Sequence, residues 1–151
     1  MRRSPLKPYR PTVTATERAA RDLVRARSGG WCEVRLPGVC LGRAANMHHR
    51  KNRSQGGKWA ASNLLDLCGS GTTGCHGVLT DPQGRRAEYE ATGWIVPSYA
   101  DPAEVPVLIH NATTGHDWVL LNDKGDLAFA PFPEPPPGDP FTLPTNPSTA
   151  A

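Results

Sequence analysis

The sequence of 151 residues is poor in apolar residues and contains no long apolar run. Its hydrophobic fraction is 38%, whereas 16 prolines and 15 glycines favour turns and loops. The lack of a run of about eighteen apolar residues excludes a membrane-spanning helix. No apolar stretch follows Arg2 and Arg3, so we expect no secretory signal peptide and a cytoplasmic location. This composition excludes a large α/β enzyme and predicts a small, loop-rich domain with disordered ends.

Acidic residues are scarce in the first part of the chain. Residues 1–58 hold 14 of the 17 Lys and Arg residues but only three acids, a net charge of +11. Residues 59–151 have the opposite balance, −8. A basic segment of this kind indicates a polyanionic partner, most simply nucleic acid. A solvated arm that keeps the protein soluble accounts for the charge equally well.

The chain divides into four segments by composition. Residues 1–12 are basic and proline-spaced, which predicts a flexible arm. Residues 13–93 contain the helical and cysteine-rich sequence and form the predicted central domain. Residues 94–130 predict a β-strand extension, and the proline-rich residues 131–151 predict a disordered tail.

Two helices are predicted in the central domain. Thr14 and Glu17 have the spacing of a capping box, and an apolar stripe follows them as far as residues 28–30, Ser-Gly-Gly. Asp81, followed by proline, has the form of a second helix start, and this helix of about ten residues is expected to end at Thr92.

Short strands are predicted beyond the second helix. The candidates are apolar segments at 94–96, 105–109, 118–121 and 127–129. The last two flank residues 122–126, a hairpin turn sequence. Three tryptophans are expected to pack the thin core and not to stack on bases, namely Trp31, Trp59 and Trp94.

The four cysteines form two close pairs, Cys32 with Cys40 and Cys68 with Cys75, separated by 27 residues. Two such pairs that meet in space can supply four thiolates to one tetrahedral zinc ion. The surrounding sequence has too little apolar surface to fold by burial alone, which favours a structural zinc site. Two disulfides or buried free thiols are the alternatives. A closed four-cysteine site stabilises the fold and does not catalyse.

Three of the five histidines lie beside the cysteine pairs: His48 and His49 follow the first pair, and His76 follows Cys75. Two neutral imidazoles can hold a divalent cation that polarises a phosphoryl oxygen, and a third can accept a proton from water. Asn63 can accept a hydrogen bond from an imidazole or hold the loop that carries it. Additional zinc ligation or simple surface exposure of these histidines is the alternative.

A cationic loop follows the histidine pair and contains two adjacent glycines, Gly56 and Gly57. Small residues let a phosphate backbone approach a loop closely, and cationic side chains bind it. The loop is therefore a candidate DNA-binding segment, with a solvated turn as the alternative. Its basic residues are Arg50, Lys51, Arg53 and Lys58.

The string from His48 to Gly57, then Asn63-Leu-Leu-Asp-Leu-Cys68 and Cys75-His76, resembles the HNH endonucleases. The resemblance is closest to the small zinc-containing HNH proteins of phages and their bacterial hosts. It covers about residues 31–80. It implies an α+β fold: a small ββα-metal (His-Me finger) core with a four-cysteine structural zinc site, flanking helices and short C-terminal strands. The nuclease domain would then span residues 13–93.

The resemblance also implies roles for single residues. His48 and His76 would hold a catalytic Mg²⁺ or Mn²⁺, His49 would be the general base, and Asn63 would orient the base or its loop. Because neighbouring residues on a regular strand face opposite sides, the division of roles between His48 and His49 rests on the family and not on geometry. Thr80 occupies the position at which many relatives have a third histidine ligand.

The implied activity is hydrolysis of DNA phosphodiester bonds, leaving a 5′-phosphate and a 3′-hydroxyl. The implied partners are double-stranded DNA and, in phage DNA packaging, a terminase or another phage protein, in the cytoplasm of an infected or prophage-carrying bacterium. No membrane and no small-molecule cofactor are expected. A non-catalytic zinc-binding DNA-binding or adaptor module is the alternative function.

Overall fold

The computed structural model describes residues 13–111 and 115–131. Within them the protein is a small mixed α+β domain with three α-helices and two antiparallel sheets. The elements are α1 (Ala15–Ser28), β1 (Asn46–His49), β2 (Leu64–Leu67), α2 (Gly74–Thr80), α3 (Arg86–Ala91), β3 (Val107–Asn111), β4 (Gly115–Leu121) and β5 (Leu127–Phe129). The predicted arm and nearly all of the predicted tail lie outside these residues. No described helix is long and apolar enough to cross a membrane.

Helix α1 begins and ends at the predicted positions. The Thr14 hydroxyl accepts a hydrogen bond from the backbone N–H of Glu17 at 3.1 Å. The Glu17 carboxylate accepts from Arg21 at 2.8 Å and does not close a reciprocal capping box. Gly29 ends the helix at φ 63°, and its N–H donates to the carbonyl of Arg25. One face of α1 packs in a small apolar cluster of Ala20, Val24, Met47, Ala61 and Leu64.

Strands β1 and β2 form a two-stranded antiparallel sheet, in which His48 lies opposite Leu65 and His49 opposite Leu64. All four residues of β2 are buried, so this strand is the centre of the domain. A tight turn leads from β2 into α2, and at Gly69 a Cβ atom would lie only 2.0 Å from the carbonyl oxygen of a later turn residue. This turn brings the start of α2 back against the sheet.

The second sheet has the order β3-β4-β5. The predicted hairpin turn between β4 and β5 is confirmed, because the Asn122 carboxamide oxygen accepts from the backbone N–H groups of Lys124 and Asp126 at 2.9 and 3.0 Å. This sheet and the cysteine segments share one core, which includes Cys32, Val34, Leu65, Leu67, Cys68, Cys75, Val107, Ile109, Val119 and Leu121. The 94–130 extension therefore covers the centre of the domain.

The predicted helix from Asp81 to Thr92 is much shorter than expected. Asp81 caps the end of α2, and α3 begins only at Arg86. Between them Gln83 and Gly84 adopt positive φ angles of 47° and 84°, which no α-helix contains. The proline after Asp81 therefore starts a turn and not a helix.

The predicted strand at 94–96 is also absent. The N–H of Ile95 donates to the carbonyl of Tyr89 at 3.1 Å, and the N–H of Val96 donates to the carbonyl of Arg50 at 2.8 Å. These two N–H groups donate to carbonyls of helix α3 and of the loop after β1. They therefore form no hydrogen bonds to a neighbouring strand. The segment is nevertheless buried, as its apolar composition requires: Trp94, Ile95 and Val96 all belong to the core.

Candidate metal centre and histidine cluster

The four cysteines meet in one cluster, and all four Sγ atoms lie within 4.8 Å of one another. All four are free thiols. The Sγ atoms of Cys40 and Cys68 are 3.8 Å apart. A tetrahedral zinc ion with Zn–S bonds of about 2.3 Å holds its sulfur atoms about 3.8 Å apart. The cluster can therefore hold a metal ion such as zinc, as the spacing predicts.

Backbone N–H groups point at the sulfur atoms of this cluster. Cys68 Sγ accepts from the N–H of Leu41 at 3.2 Å and from the N–H of Cys75 at 3.3 Å. Cys75 Sγ accepts from the N–H of Leu36 at 3.4 Å. Hydrogen bonds of this kind favour the thiolate form, which is the form that binds metal.

The thiol pKa values diverge within the cluster. The hydrogen bond with Cys75 lowers the pKa of Cys32 to about 4, and the same contact raises the pKa of Cys75. Burial raises the pKa of Cys40. Four neighbouring thiolates repel one another, so a divalent cation is needed for all of them to ionise together.

His48 lies on β1 and is almost fully buried. Its Nε2 donates to the carbonyl oxygen of Trp94 at 2.9 Å, because a carbonyl can only accept. The neutral ring therefore carries its proton on Nε2 and leaves Nδ1 as the acceptor. Burial lowers the pKa of His48 to about 4, which keeps the ring neutral at neutral pH. A neutral, fixed tautomer of this kind is typical of a metal ligand.

His76, in the first turn of α2, faces His48. The two ring centroids are 5.9 Å apart and the rings are nearly perpendicular, at 87°. The Thr80 hydroxyl, one helical turn later, donates to the carbonyl oxygen of His76 at 2.8 Å. It therefore caps the backbone of its own helix. The fold thus brings together two imidazoles from different elements.

His49 enters different surroundings from His48, as alternation along a strand requires. Its ring meets the indole of Trp59 edge-on, with centroids 4.4 Å apart. Its Nε2 is buried and, among the residues that the structure describes, has no hydrogen-bond partner. Burial, reinforced by the positive charges of Arg53 and Arg21, lowers the pKa of His49 to about 4. The ring is therefore a neutral imidazole with an unpaired nitrogen.

The guanidinium groups of two arginines lie over the ring of Trp59, a feature that the sequence did not indicate. The Cζ atoms of Arg21 and Arg53 lie 4.9 and 5.8 Å from the ring centroid. Arg53 comes from the cationic loop and Arg21 from α1. The spacing of four residues between Glu17 and Arg21 predicts that they lie on the same face of α1. No sequence pattern indicates that this face contacts Trp59.

Asn63 holds the cationic loop in place. Its amide Nδ2 donates to the carbonyl oxygens of Lys51 and Lys58, each at 3.1 Å, and its Oδ1 accepts from the N–H of Lys51 at 2.8 Å. Gly57 lies in the same loop, where a Cβ atom would lie 1.8 Å from the Lys51 carbonyl oxygen. Of the two roles expected for Asn63, these hydrogen bonds match loop positioning.

The expectation that Arg50 contacts DNA is wrong. Its side chain is 1% exposed. Its guanidinium donates to four backbone carbonyl oxygens within the domain. The other predicted DNA-binding residues remain accessible. Lys51 and Lys58 line a cavity of about 370 Å³, and Arg53 lies on the exposed part of the loop.

Comparisons with models of protein families, with curated proteins and with solved structures find no match to this chain. A functional assignment therefore depends on the residues and on their geometry.

Proposed function

We propose that this protein is a metal-dependent HNH endonuclease that hydrolyses phosphodiester bonds of double-stranded DNA. The observation that carries the proposal is the meeting of His48 and His76, whose ring centroids are 5.9 Å apart. They come from β1 and α2, which follow the order strand, strand, helix expected of a ββα-metal core. The cysteine cluster is proposed to be its structural zinc site.

His48 and His76 are the proposed ligands of the catalytic cation. A divalent cation bound there would polarise a phosphoryl oxygen and stabilise the leaving oxygen. The hydrogen bond from His48 to Trp94 keeps the free ring nitrogen in its unprotonated, ligating form. Two imidazoles leave the remaining coordination positions to water and phosphate oxygens, which favours Mg²⁺ or Mn²⁺.

His49 is the proposed general base. A buried ring nitrogen without a partner costs roughly 1–3 kcal/mol, and a nitrogen that must accept a proton during a reaction is a physical reason to bear that cost. In the proposed step His49 takes a proton from water while the water oxygen bonds to phosphorus. The bond from phosphorus to the 3′ oxygen breaks, and that oxygen takes a proton from a solvent water molecule, which leaves a 3′-hydroxyl and a 5′-phosphate. The low pKa of His49 keeps it unprotonated at neutral pH.

Three cations on the loop that follows β1 support a phosphate-bearing substrate. Among the described residues, none of Lys51, Arg53 and Lys58 forms an ion pair. Unpaired cations on a loop held by Asn63 are available to DNA phosphates, so we expect binding that weakens with salt.

The alternative is a zinc-containing DNA-binding or adaptor module without catalysis. The observation that favours it concerns Thr80, which stands where many HNH proteins have a third histidine ligand. Its hydroxyl bonds to the carbonyl of His76, and the cation would have only two imidazole ligands. This alternative predicts DNA binding that needs no added divalent cation, and no cleavage.

Cleavage of supercoiled plasmid decides between the two. The wild type is expected to cut with added Mg²⁺ or Mn²⁺, and His49→Ala is expected to cut roughly a hundredfold more slowly or worse. His110→Ala is the matched control, because His110 pairs with His116 on the second sheet and is expected to leave the rate unchanged. Zinc content measured for each variant verifies that the fold is intact.

Each outcome has a distinct meaning. If the wild type binds DNA but cuts with neither cation, the adaptor function replaces the nuclease proposal. If His49→Ala cuts as fast as the wild type, His49 is not the base.

A further inference from the structure

We propose that a second, separate surface, formed by Trp31, Arg35 and Arg43 on the cysteine-bearing loops, binds the phosphate backbone of duplex DNA. We call it the Trp31 surface. The inference takes its ligand from the proposed function, but it does not depend on cleavage.

Trp31 does not pack the core as the sequence predicted. Its side chain is 42% exposed, whereas Trp94 is 7% exposed. The Cζ atom of Arg43 lies 4.4 Å from the Trp31 ring centroid, and that of Arg35 lies 5.6 Å from it. Cation–π contacts at these distances orient both guanidinium groups on one indole. The ring therefore positions cations and is not left bare for a base to stack on.

Arg35 and Arg43 lack the acidic partners that several other arginines of the domain have. Arg21, Arg27, Arg85 and Arg86 all pair with glutamates. Among the described residues, neither Arg35 nor Arg43 forms an ion pair or a side-chain hydrogen bond, and the Nε of Arg35 is buried without a partner. Two guanidinium groups on one ring repel each other. A phosphate between them would remove that repulsion and accept their hydrogen bonds.

The backbone holds the surface rigid. Trp31 and Arg43 face each other in an antiparallel bridge. The N–H of Cys32 donates to the carbonyl of Gly42 at 2.9 Å, and the N–H of Ala44 donates to the carbonyl of Gly30 at 3.0 Å. The adjacent cysteine cluster ties both loops to one centre. Two cationic side chains that are already held in place lose little conformational entropy on binding. This favours a defined contact with phosphate over nonspecific electrostatic attraction.

The Trp31 surface lies at the other end of β1 from the histidine cluster. Arg43 lies six positions before His49, and extended chain rises about 3.3 Å per residue, so the two are separated by at most roughly 20 Å. That distance corresponds to about six base pairs of duplex. Trp59 with Arg21 and Arg53 repeats the same arrangement beside His49. The Trp31 surface should therefore add affinity without taking part in the chemistry.

The test is a salt titration of DNA binding with the full-length, zinc-loaded protein and no added Mg²⁺ or Mn²⁺. The probe is a fluorescent duplex of about thirty base pairs, followed by anisotropy. The Arg35→Ala/Arg43→Ala variant is expected to bind roughly tenfold more weakly, with a salt slope smaller by about 1.8, the value for two lost phosphate contacts. Arg85→Ala/Arg86→Ala removes the same charge from exposed residues at the start of α3 and is expected to keep the wild-type slope.

Equal binding by these two double variants overturns the proposal, because net charge alone would then explain the affinity. If the first variant does not retain its zinc, the exposed single variant Arg43→Glu decides instead: unchanged affinity overturns the proposal and weaker affinity supports it. Trp31→Leu keeps both charges and is expected to bind more weakly. Wild-type affinity in Trp31→Leu would contradict the positioning role.

Plasmid cleavage separates this inference from the proposed function. At saturating DNA the Arg35→Ala/Arg43→Ala variant should cut at the wild-type kcat with a raised KM. A lower kcat would mean that the surface belongs to the catalytic centre, which contradicts the inference. If the wild type does not cut at all, the nuclease proposal fails, while the binding measurement still decides the role of the Trp31 surface.

Discussion

The guanidinium of Arg50 donates to the carbonyl oxygen of Val105 at 2.7 Å and so joins residues 55 positions apart. The same group donates to the carbonyls of Gly93, Ser62 and Pro102 at 2.7, 2.9 and 2.9 Å. Burial lowers the pKa of Arg50 to about 9, so it stays charged at neutral pH. One buried cation thus fastens the segments after α3 to the β1–β2 sheet.

Replacing Arg50 should destabilise the protein strongly. Arg50→Met removes all of these hydrogen bonds and leaves buried carbonyl oxygens unpaired, which should lower the free energy of unfolding by roughly 3–5 kcal/mol. Urea denaturation followed by tryptophan fluorescence measures this. Arg53→Met, three residues away on the exposed loop, should change stability by less than about 1 kcal/mol. Similar losses in both variants would contradict a specific role for Arg50.

Removing zinc should abolish cooperative unfolding. The cysteine cluster lies in the main core, and the thiols cannot all ionise without a cation, so Cys68→Ser should lose the metal and the sharp thermal transition. Zinc content by atomic absorption and thermal unfolding by circular dichroism measure both effects. Chelation of the wild type should reproduce the loss, and added zinc should reverse it. A purified wild-type protein that contains no metal and still melts sharply would mean that the thiols are simply buried.

The low pKa values of His48 and His49 predict a loss of stability in mild acid. Both are lowered from 6.5 to about 4, chiefly by burial. Between these values the unfolded chain binds protons that the folded chain does not, so the free energy of unfolding falls as the pH falls through this range. Above pH 6.5 the two histidines are neutral in the folded and in the unfolded chain, so they do not lower the free energy of unfolding there.

Urea midpoints of the wild type and His49→Ala at about pH 7.5 and about pH 5.5 test this linkage. The variant should lose less stability on acidification, because it has one fewer depressed histidine. Zinc content at each pH separates this effect from metal release, which acts on both proteins. An equal loss in both would contradict the shift at His49.

Local features of this fold were predictable from the sequence because they depend on neighbouring residues. The start and end of α1 follow from Thr14 and Gly29, whose side chain and backbone satisfy the helix ends directly. The β4–β5 turn follows from Asn122, which accepts from N–H groups two and four residues later. The cysteine cluster was predictable for a chemical reason, since two close thiol pairs in a thin core can share one metal ion.

Features that depend on distant contacts were not predictable. Arg27 lies in the last turn of α1, and its charge alone favours an exposed position, but it pairs with Glu33 at 2.7 Å and both side chains are 2% exposed. Arg50 looked like part of a DNA-binding loop, and Trp31 looked like a core residue. Charge and apolarity describe a side chain, but its neighbours decide whether it is buried.

The sequence by itself determined which chemical groups are present and the short-range structure that carries them: the capped helix, the hairpin turn, the thiol pairs and the histidines. Only the tertiary structure decided which groups meet. It brought His48 to His76, left a buried nitrogen of His49 without a hydrogen-bond partner in the described part of the chain, and enclosed Arg50 among carbonyl oxygens. The physical reason is that burial and pairing are set by segments far apart in the chain, whereas caps and turns are completed within a few residues.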